Sequence, residues 1–182
     1  RGLGDVYKRQ LDWDIQYCSG CVACSRGLVM GKGMICSRQD DFKAFYEKVV
    51  EADGVLFVDP IFESGATGLY HSITDRMGPG HDTGMMKMLD GKLKEAGKEG
   101  LNPRYFRQKA LSFVGIGGSD WAVRCETDHA MFALSPGWKV VNNEFFSWCK
   151  DVIMQDDKVE RMKEIGRNLA DAAQQIIDED MQ

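Results

Sequence analysis

The sequence predicts a doubly wound α/β domain, in which helices cover both faces of a parallel sheet. Short apolar runs, typical of strands buried on both faces, alternate along the chain with helical stretches of roughly 10–15 residues. Such alternation implies right-handed crossovers between parallel strands. The 182 residues, of which 43% are hydrophobic and 28% charged, suit one globular domain with an ordinary core.

Three strands are predicted from the apolar runs. The first covers residues 55–58 and is stopped by Pro60, and the second covers residues 110–116 and runs into Gly117. The third is marked by two valines at residues 140–141. Because the intervening segments read as helices, all three strands are expected to lie parallel in one sheet.

The helices are predicted from apolar residues that recur every three or four positions. The first begins at Asp40 or Asp41, whose side chains favour helix starts, and ends at Gly54. The others are predicted over residues 67–77, 85–96, 121–134 and 159–176.

The composition argues against two classes of partner. The net charge of −5 and the pI of about 5.2 disfavour a nucleic-acid binder. No apolar run approaches the ~20 residues that a membrane-spanning helix needs. The charged first residues also lack the apolar core of a signal peptide. We therefore expect a cytoplasmic protein whose cysteines are reduced.

Residues 1–10, RGLGDVYKRQ, resemble a translated adaptor sequence at the end of an assembled genomic fragment. We expect them to be a non-native tail, with the domain formed by residues 11–182. An ordinary polar N-terminal tail is the alternative.

Four cysteines lie close together in one glycine-rich segment, residues 18–36. Cys18, Cys21 and Cys24 are separated by two residues each, and Cys36 follows after eleven more. Three thiolates at this spacing converge from one tight loop, and a fourth completes the ligands of a cuboid iron–sulfur cluster. Zinc, a redox-active thiol pair and buried inert cysteines remain alternatives.

Two loops follow the first two strands and suit a ligand site. In open α/β sheets, ligands bind beyond the carboxyl ends of the strands, where the strand order reverses. The loop after the first strand offers backbone donors and an aromatic ring, and the loop after the second offers small residues that let a planar ring approach. The candidate binding residues are Pro60, Ile61, Phe62 and Glu63 in the first loop and Gly117, Gly118, Ser119 and Trp121 in the second.

Together these motifs resemble the family of iron–sulfur flavoproteins and NAD(P)H-dependent FMN reductases, which has the flavodoxin-like fold. The resemblance runs from about residue 15 to the last helix. It rests on the Cys-x-Gly-Cys-x-x-Cys motif, Cys36 four residues before Asp40-Asp41, Glu51-Ala52-Asp53-Gly54, Pro60-Ile61-Phe62 and Asp75-Arg76.

The resemblance implies that two loops hold the FMN ring: the proline loop, residues 60–63, and the glycine loop, residues 117–119. It also implies that Cys18, Cys21, Cys24 and Cys36 bind a [4Fe–4S] cluster. Phe62 stands where the family usually has tyrosine, and His71 where it often has lysine. The gap before Cys36 is longer than usual. The family's first strand and phosphate-binding loop have no counterpart in this sequence.

The function expected from this resemblance is an FMN-dependent oxidoreductase that passes electrons between NAD(P)H or a reduced carrier and an acceptor. A flavin reductase without a cluster and a non-catalytic zinc-binding interaction module are the alternatives. The redox partner is expected to be a small molecule or a ferredoxin-like protein, and the protein a homo-oligomer.

Several other residues are given structural interpretations. His71, His81 and His129 are expected on exposed or helical surfaces, and Cys125 and Cys149 are expected to be buried apolar residues. Asp75 and Arg76 are interpreted either as a helix-end pair that positions the proline loop or as a surface ion pair.

Overall fold

The computed structural model describes residues 12–30, 36–78, 82–117, 123–147 and 155–181. The predicted tail, residues 1–10, lies outside the described residues. The helices and strands are α1 (Ala23–Val29), α2 (Phe42–Glu51), β1 (Gly54–Pro60), α3 (Gly68–Met77), α4 (Thr83–Glu95), a short 3-10 helix (Pro103–Tyr105), β2 (Ala110–Gly117), α5 (Val123–Leu134), β3 (Lys139–Ser147) and α6 (Asp156–Asp180).

The described strands form one parallel sheet in the order β1-β2-β3, which confirms the predicted fold class. Phe57 of β1 lies opposite Phe113 of β2, and Phe113 lies opposite Asn143 of β3. The central strand, β2, is buried along almost its whole length, which explains why its residues other than Ser112 are apolar or glycine.

β3 is longer than the two valines predicted. It continues through Asn142, Asn143 and Glu144, which are polar and only half-buried. The apolar pattern did not predict this part, because these residues belong to the strand through hydrogen bonds to β2 and not through burial of apolar side chains. An irregularity in the β2–β3 register lies between Leu111 and Ser112.

An aromatic core fills one face of the sheet. Phe57 stacks on Phe113 with ring centroids 5.5 Å apart and meets Tyr70 and Phe132 edge to face. Tyr70 belongs to α3 and Phe132 to α5, so this cluster holds both helices against β1 and β2. Phe42 of α2 is buried in the same core.

The final helix, α6, covers the opposite face. Ala172, Ala173 and Ile176 of α6 pack against Ala110 at the start of β2, and Ile165 packs against Val114 further along the strand. The apolar stripe predicted from spacing therefore faces the sheet. No helix of the described residues is both long and apolar enough to cross a bilayer.

Side-chain hydrogen bonds cap the start of α3 and the end of α2. The Thr67 hydroxyl accepts from the Tyr70 N–H at the start of α3. α2 ends at Glu51, earlier than predicted from Gly54, and the buried Lys109 ammonium donates to the Val50 and Ala52 carbonyls at this end. Burial lowers the pKa of Lys109 to about 8.

A cavity in the aromatic core is expected to lower the free energy of unfolding strongly. Phe113→Ala is expected to lower the free energy of unfolding by about 3–5 kcal/mol, because the ring is fully buried between β1 and α5. Met131→Ala on the exposed side of α5 is the control and should change it by less than about 0.5 kcal/mol. Urea unfolding measures both, and equal effects would contradict this account of the core.

Candidate functional site

The proline loop and the end of β2 lie side by side, as predicted. The Ile61 N–H donates to the Ile116 carbonyl at 2.8 Å, so the chain leaves β1 along β2. A Cβ placed on Gly117 would lie 3.0 Å from the Ile61 Cβ, closer than nine in ten real Cβ contacts. A side chain at this position would therefore have to displace Ile61 by a few tenths of an ångström. Gly118, Ser119 and Trp121 lie outside the described residues.

A strained turn follows Ile61. Phe62 and Gly65 exchange two backbone hydrogen bonds, and the residues between them, Glu63 and Ser64, have φ values of 49° and 66°. Left-handed backbone costs roughly 1–3 kcal/mol at a non-glycine residue and clusters at ligand-binding sites. The turn leaves the Phe62 ring 68% exposed beside the end of β2.

Helix α5 anchors this turn from behind. The Cys125 N–H, near the start of α5, donates to the Ser64 carbonyl at 3.0 Å, and the Asp128 carboxylate accepts from the Ala66 N–H at 3.3 Å. His71 of α3, half-exposed as predicted, lies 3.7 Å from the same carboxylate. The strained conformation is thus imposed by neighbouring elements.

A buried polar cluster lies beneath the turn, and it corrects the prediction for His129. Asp59, the residue before Pro60, is fully buried, with its Oδ2 at 3.5 Å from His129 Nε2 and its Oδ1 accepting from the Thr67 hydroxyl. The His129 ring stacks on Phe113 at 4.4 Å. His129 is therefore a core residue of α5 rather than a surface histidine.

One signal in the sequence pointed to this burial. His129 lies four residues after Cys125 and three before Phe132, so all three share the apolar face of α5. Cys125 is buried, which confirms its prediction, and burial raises the pKa of its thiol to about 12. The predictions for His81 and Cys149 lie outside the described residues.

The four clustered cysteines border a single cavity. It lies between the segment of residues 18–24, the segment of residues 36–38 and the end of α3. Cys36, despite its longer spacing, reaches the same cavity as the other three. The lining residues are Cys18, Ser19, Cys21, Val22, Cys24, Cys36, Ser37, Arg38, Asp75 and Arg76.

Three of the sulfur atoms have polar neighbours. Arg76 Nη2 donates to the Cys36 Sγ at 3.2 Å, the Gly20 N–H donates to the Cys18 Sγ, and the Ser37 hydroxyl lies 3.3 Å from the Cys21 Sγ. The Ser37 hydroxyl, followed by backbone N–H groups, lowers the pKa of Cys21 to about 7. Such a thiol readily becomes the thiolate that metals bind.

Arg76 forms a buried ion pair with Asp40, which corrects both predicted roles for the Asp75–Arg76 pair. Both side chains of the ion pair are 1% exposed, and Arg76 Nη2 lies 2.8 Å from the Asp40 Oδ1. Arg76 also donates to the Gln16 carbonyl. α3 separates it from the proline loop by roughly 15 Å, at 1.5 Å per residue. Arg76 thus organises the cysteine side.

Hydrogen bonds join the residues before and after the segment that carries the cysteines. The Asp14 N–H donates to the Asp41 carboxylate at 2.9 Å, and the Asp41 N–H donates to the Asp14 carbonyl at 3.0 Å. The Gln16 N–H donates to Asp40. The two ends of the segment that carries the cysteines are thereby held together at the start of α2.

The ion pair makes stability depend on Asp40. Hydrogen bonds from Arg76 hold the pKa of this carboxyl at about 2, so its stabilising effect is complete above its ordinary pKa of 3.8 and lost as the pH falls through about 2. Asp40→Asn should lower the free energy of unfolding by about 3 kcal/mol at pH 7, because it leaves a buried guanidinium unpaired.

Urea unfolding at several pH values tests this expectation. The difference in the free energy of unfolding between the native protein and Asp40→Asn should decrease by about 2 kcal/mol as the pH falls from about 4 towards 2. Asp75→Asn, at the exposed neighbour of Arg76, is the matched control and should have little effect. A gap that is independent of pH would contradict the assignment.

Comparison with known proteins identifies the family. Residues 16–151 match the family model of NADPH-dependent FMN reductases. The solved structure of a flavone reductase superposes with a TM-score of 0.72 and 39% sequence identity, covering 86% of this chain and 58% of that one.

Two curated relatives also align with the chain. An iron-sulfur flavoprotein of Archaeoglobus fulgidus is 27% identical over 61% of this chain and 45% of its own length. One of Clostridioides difficile is 38% identical over 33% of this chain and 24% of its own length. The chain thus spans less than half of these relatives. With the parallel sheet and the matched family model, it belongs to the NADPH-dependent FMN reductase family and has the flavodoxin-like fold.

Proposed function

We propose that this chain carries the ring-binding part of an FMN-dependent oxidoreductase. The observation that supports this most directly is the packing of Ile61 against Gly117 beside a strained, outward-facing turn. The proline loop and the last residue of β2 thus meet at the carboxyl edge of the sheet, where ligands of this fold class bind. Pro60, Ile61, Phe62 and Glu63 would contact the ring from one side, and Gly117, Gly118, Ser119 and Trp121 from the other.

The described residues fit a planar ring. Phe62 offers an exposed aromatic face for stacking, and the absence of a side chain at Gly117 lets Ile61 pack directly on the end of β2, which fixes the loop that carries this ring. FMN, when bound, supplies the transfer of a hydride or of single electrons. The role of these residues is to bind and orient the ring and to exclude water from it.

The expected electron donor is NAD(P)H, in keeping with the family. The similarity to a flavone reductase favours a small aromatic acceptor, and a ferredoxin-like protein is the other partner we consider. We further propose a location in the cytoplasm, since a reducing compartment keeps exposed thiols such as Cys18 and Cys21 unpaired. A homo-oligomeric state is a separate proposal, carried over from the sequence.

We also propose that Cys18, Cys21, Cys24 and Cys36 hold a [4Fe–4S] cluster. The four thiols share one cavity, yet the described residues contain no group of three or more His, Cys, Asp or Glu side chains arranged to hold a metal ion. The spacing favours a cluster over zinc, because three of the cysteines are separated by two residues each in one loop, whereas structural zinc sites more often use two separated cysteine pairs.

Both curated relatives are iron-sulfur flavoproteins, which supports the same proposal. A bound cluster would supply a store for one electron in a protein whose flavin handles one or two. Around it, Arg76 and the N–H of Gly20 would donate hydrogen bonds to the ligand sulfurs.

The cluster proposal predicts a specific loss on replacing one ligand. Cys21→Ser should remove most of the iron and acid-labile sulfide from protein purified anaerobically, because one iron loses its thiolate. Cys125→Ala, which alters a buried thiol outside the cavity, should keep both. Stoichiometric zinc without sulfide would contradict the proposal, and bound FMN without iron would indicate a flavin reductase that lacks a cluster.

The ring site predicts a specific effect at Gly117. Gly117→Ala should weaken FMN binding about tenfold or more, because the new Cβ forces Ile61 and the adjoining loop away from the end of β2. Quenching of flavin fluorescence on titration measures the Kd. Gly166→Ala, whose Cβ meets nothing on α6, should leave the Kd unchanged and raise stability by up to about 1 kcal/mol. Equal Kd values would exclude this ring site.

A further inference from the structure

We propose that Arg76 sets the reduction potential of the cluster through hydrogen bonds to its sulfur atoms. This inference rests on the proposed [4Fe–4S] cluster and assigns a positioning and tuning role to a residue outside the ligand set. The contact that carries it is the hydrogen bond from Arg76 Nη2 to the Cys36 Sγ at 3.2 Å.

The guanidinium is buried and held in one orientation. Its end forms a two-point pair with the Asp40 carboxylate, and Nη1 also donates to the Gln16 carbonyl. The Phe42 ring lies beneath it, with the guanidinium carbon 4.3 Å from the ring centroid. Because the side chain is excluded from water, its hydrogen bonds and charge act in a medium of low dielectric constant.

One donor of Arg76 has no partner. Nε is buried, and no hydrogen-bond acceptor reaches it within the part of the chain that the structure describes. Each Nη of a planar guanidinium carries two hydrogens, one directed along the end of the group and one directed to its side. On Nη2, the hydrogen directed to the side is parallel to Nε–H. Asp40 occupies that end, so the Nη2–H bound to Cys36 and the unpaired Nε–H face the same side. A second donor is thus available toward the cysteine cavity.

Donors to cluster and ligand sulfurs favour the more negative, reduced state and raise the reduction potential. Arg76→Lys keeps a cation beside Asp40 but removes the planar fork that reaches Cys36. We expect the reduced-to-oxidised ratio at a fixed potential to fall about tenfold, the effect of one hydrogen bond to a charged group. For a one-electron couple this is a shift of about 59 mV to lower potential.

The test is a redox titration of the full protein, followed by electron paramagnetic resonance, with iron and sulfide measured on each sample. Asp75→Asn is the matched control, since Asp75 is exposed and borders the same cavity. Removing its negative charge should raise the potential, opposite in sign to the effect of Arg76→Lys. The double variant Arg76→Leu with Asp40→Leu removes both buried charges, leaves neither unpaired and should also lower the potential.

The outcomes separate this inference from the cluster proposal. Lower potentials in Arg76→Lys and in the double variant, with a higher one in Asp75→Asn, would support it. An unchanged potential in cluster-loaded Arg76 variants would overturn it, because Arg76 would then only hold the segment in place, and the cluster proposal would stand. Native protein without iron and sulfide would overturn both.

Discussion

The buried ion pair between Arg76 and Asp40 is the contact on which the cysteine side of the molecule depends. It joins the end of α3 to the start of α2 and, through the Gln16 carbonyl, to the segment before Cys18. Two charges removed from water are tolerated only where each is well hydrogen-bonded. Asp40 accepts two bonds from Arg76 and one from the Gln16 N–H, and Nη2 of the same guanidinium reaches Cys36. Among the described residues, Nε of Arg76 alone lacks an acceptor within this pair. One interaction therefore fixes both the cysteine segment and the environment of the Cys36 sulfur.

α3 separates two sites of different construction. Its start is capped by Thr67, which also donates to Asp59 beneath the proline loop, and its end carries Arg76. Ten residues of helix place these ends roughly 15 Å apart. The loop site depends on close packing of backbone at Gly117 and on a strained turn, whereas the cysteine site depends on charge and hydrogen bonding. A substitution at one of these sites therefore changes no residue that contacts the other.

The buried Asp59–His129 cluster explains how the strained turn persists. Asp59, Thr67 and His129 come from β1, the start of α3 and α5, and their contacts are shielded from water. Together with the Cys125 N–H bound to Ser64, they hold the backbone on both sides of the turn. Non-glycine residues with left-handed backbone, such as Glu63 and Ser64, keep this conformation only where several contacts from the surrounding structure hold it. The polar core and the exposed loop thus form one unit.

The sequence by itself determined the alternation of strands and helices, the position of the loops at the ends of β1 and β2, and the close spacing of Cys18, Cys21 and Cys24. These features are local, since apolar periodicity and short spacing act over a few residues. The polar part of β3, the burial of His129, the approach of Cys36 and the pairing of Arg76 with Asp40 were decided by the tertiary structure. Arg76 and Asp40 lie 36 residues apart, and each has a charged neighbour nearer in sequence. Only packing of α3 against α2 selects one partner and removes both from water.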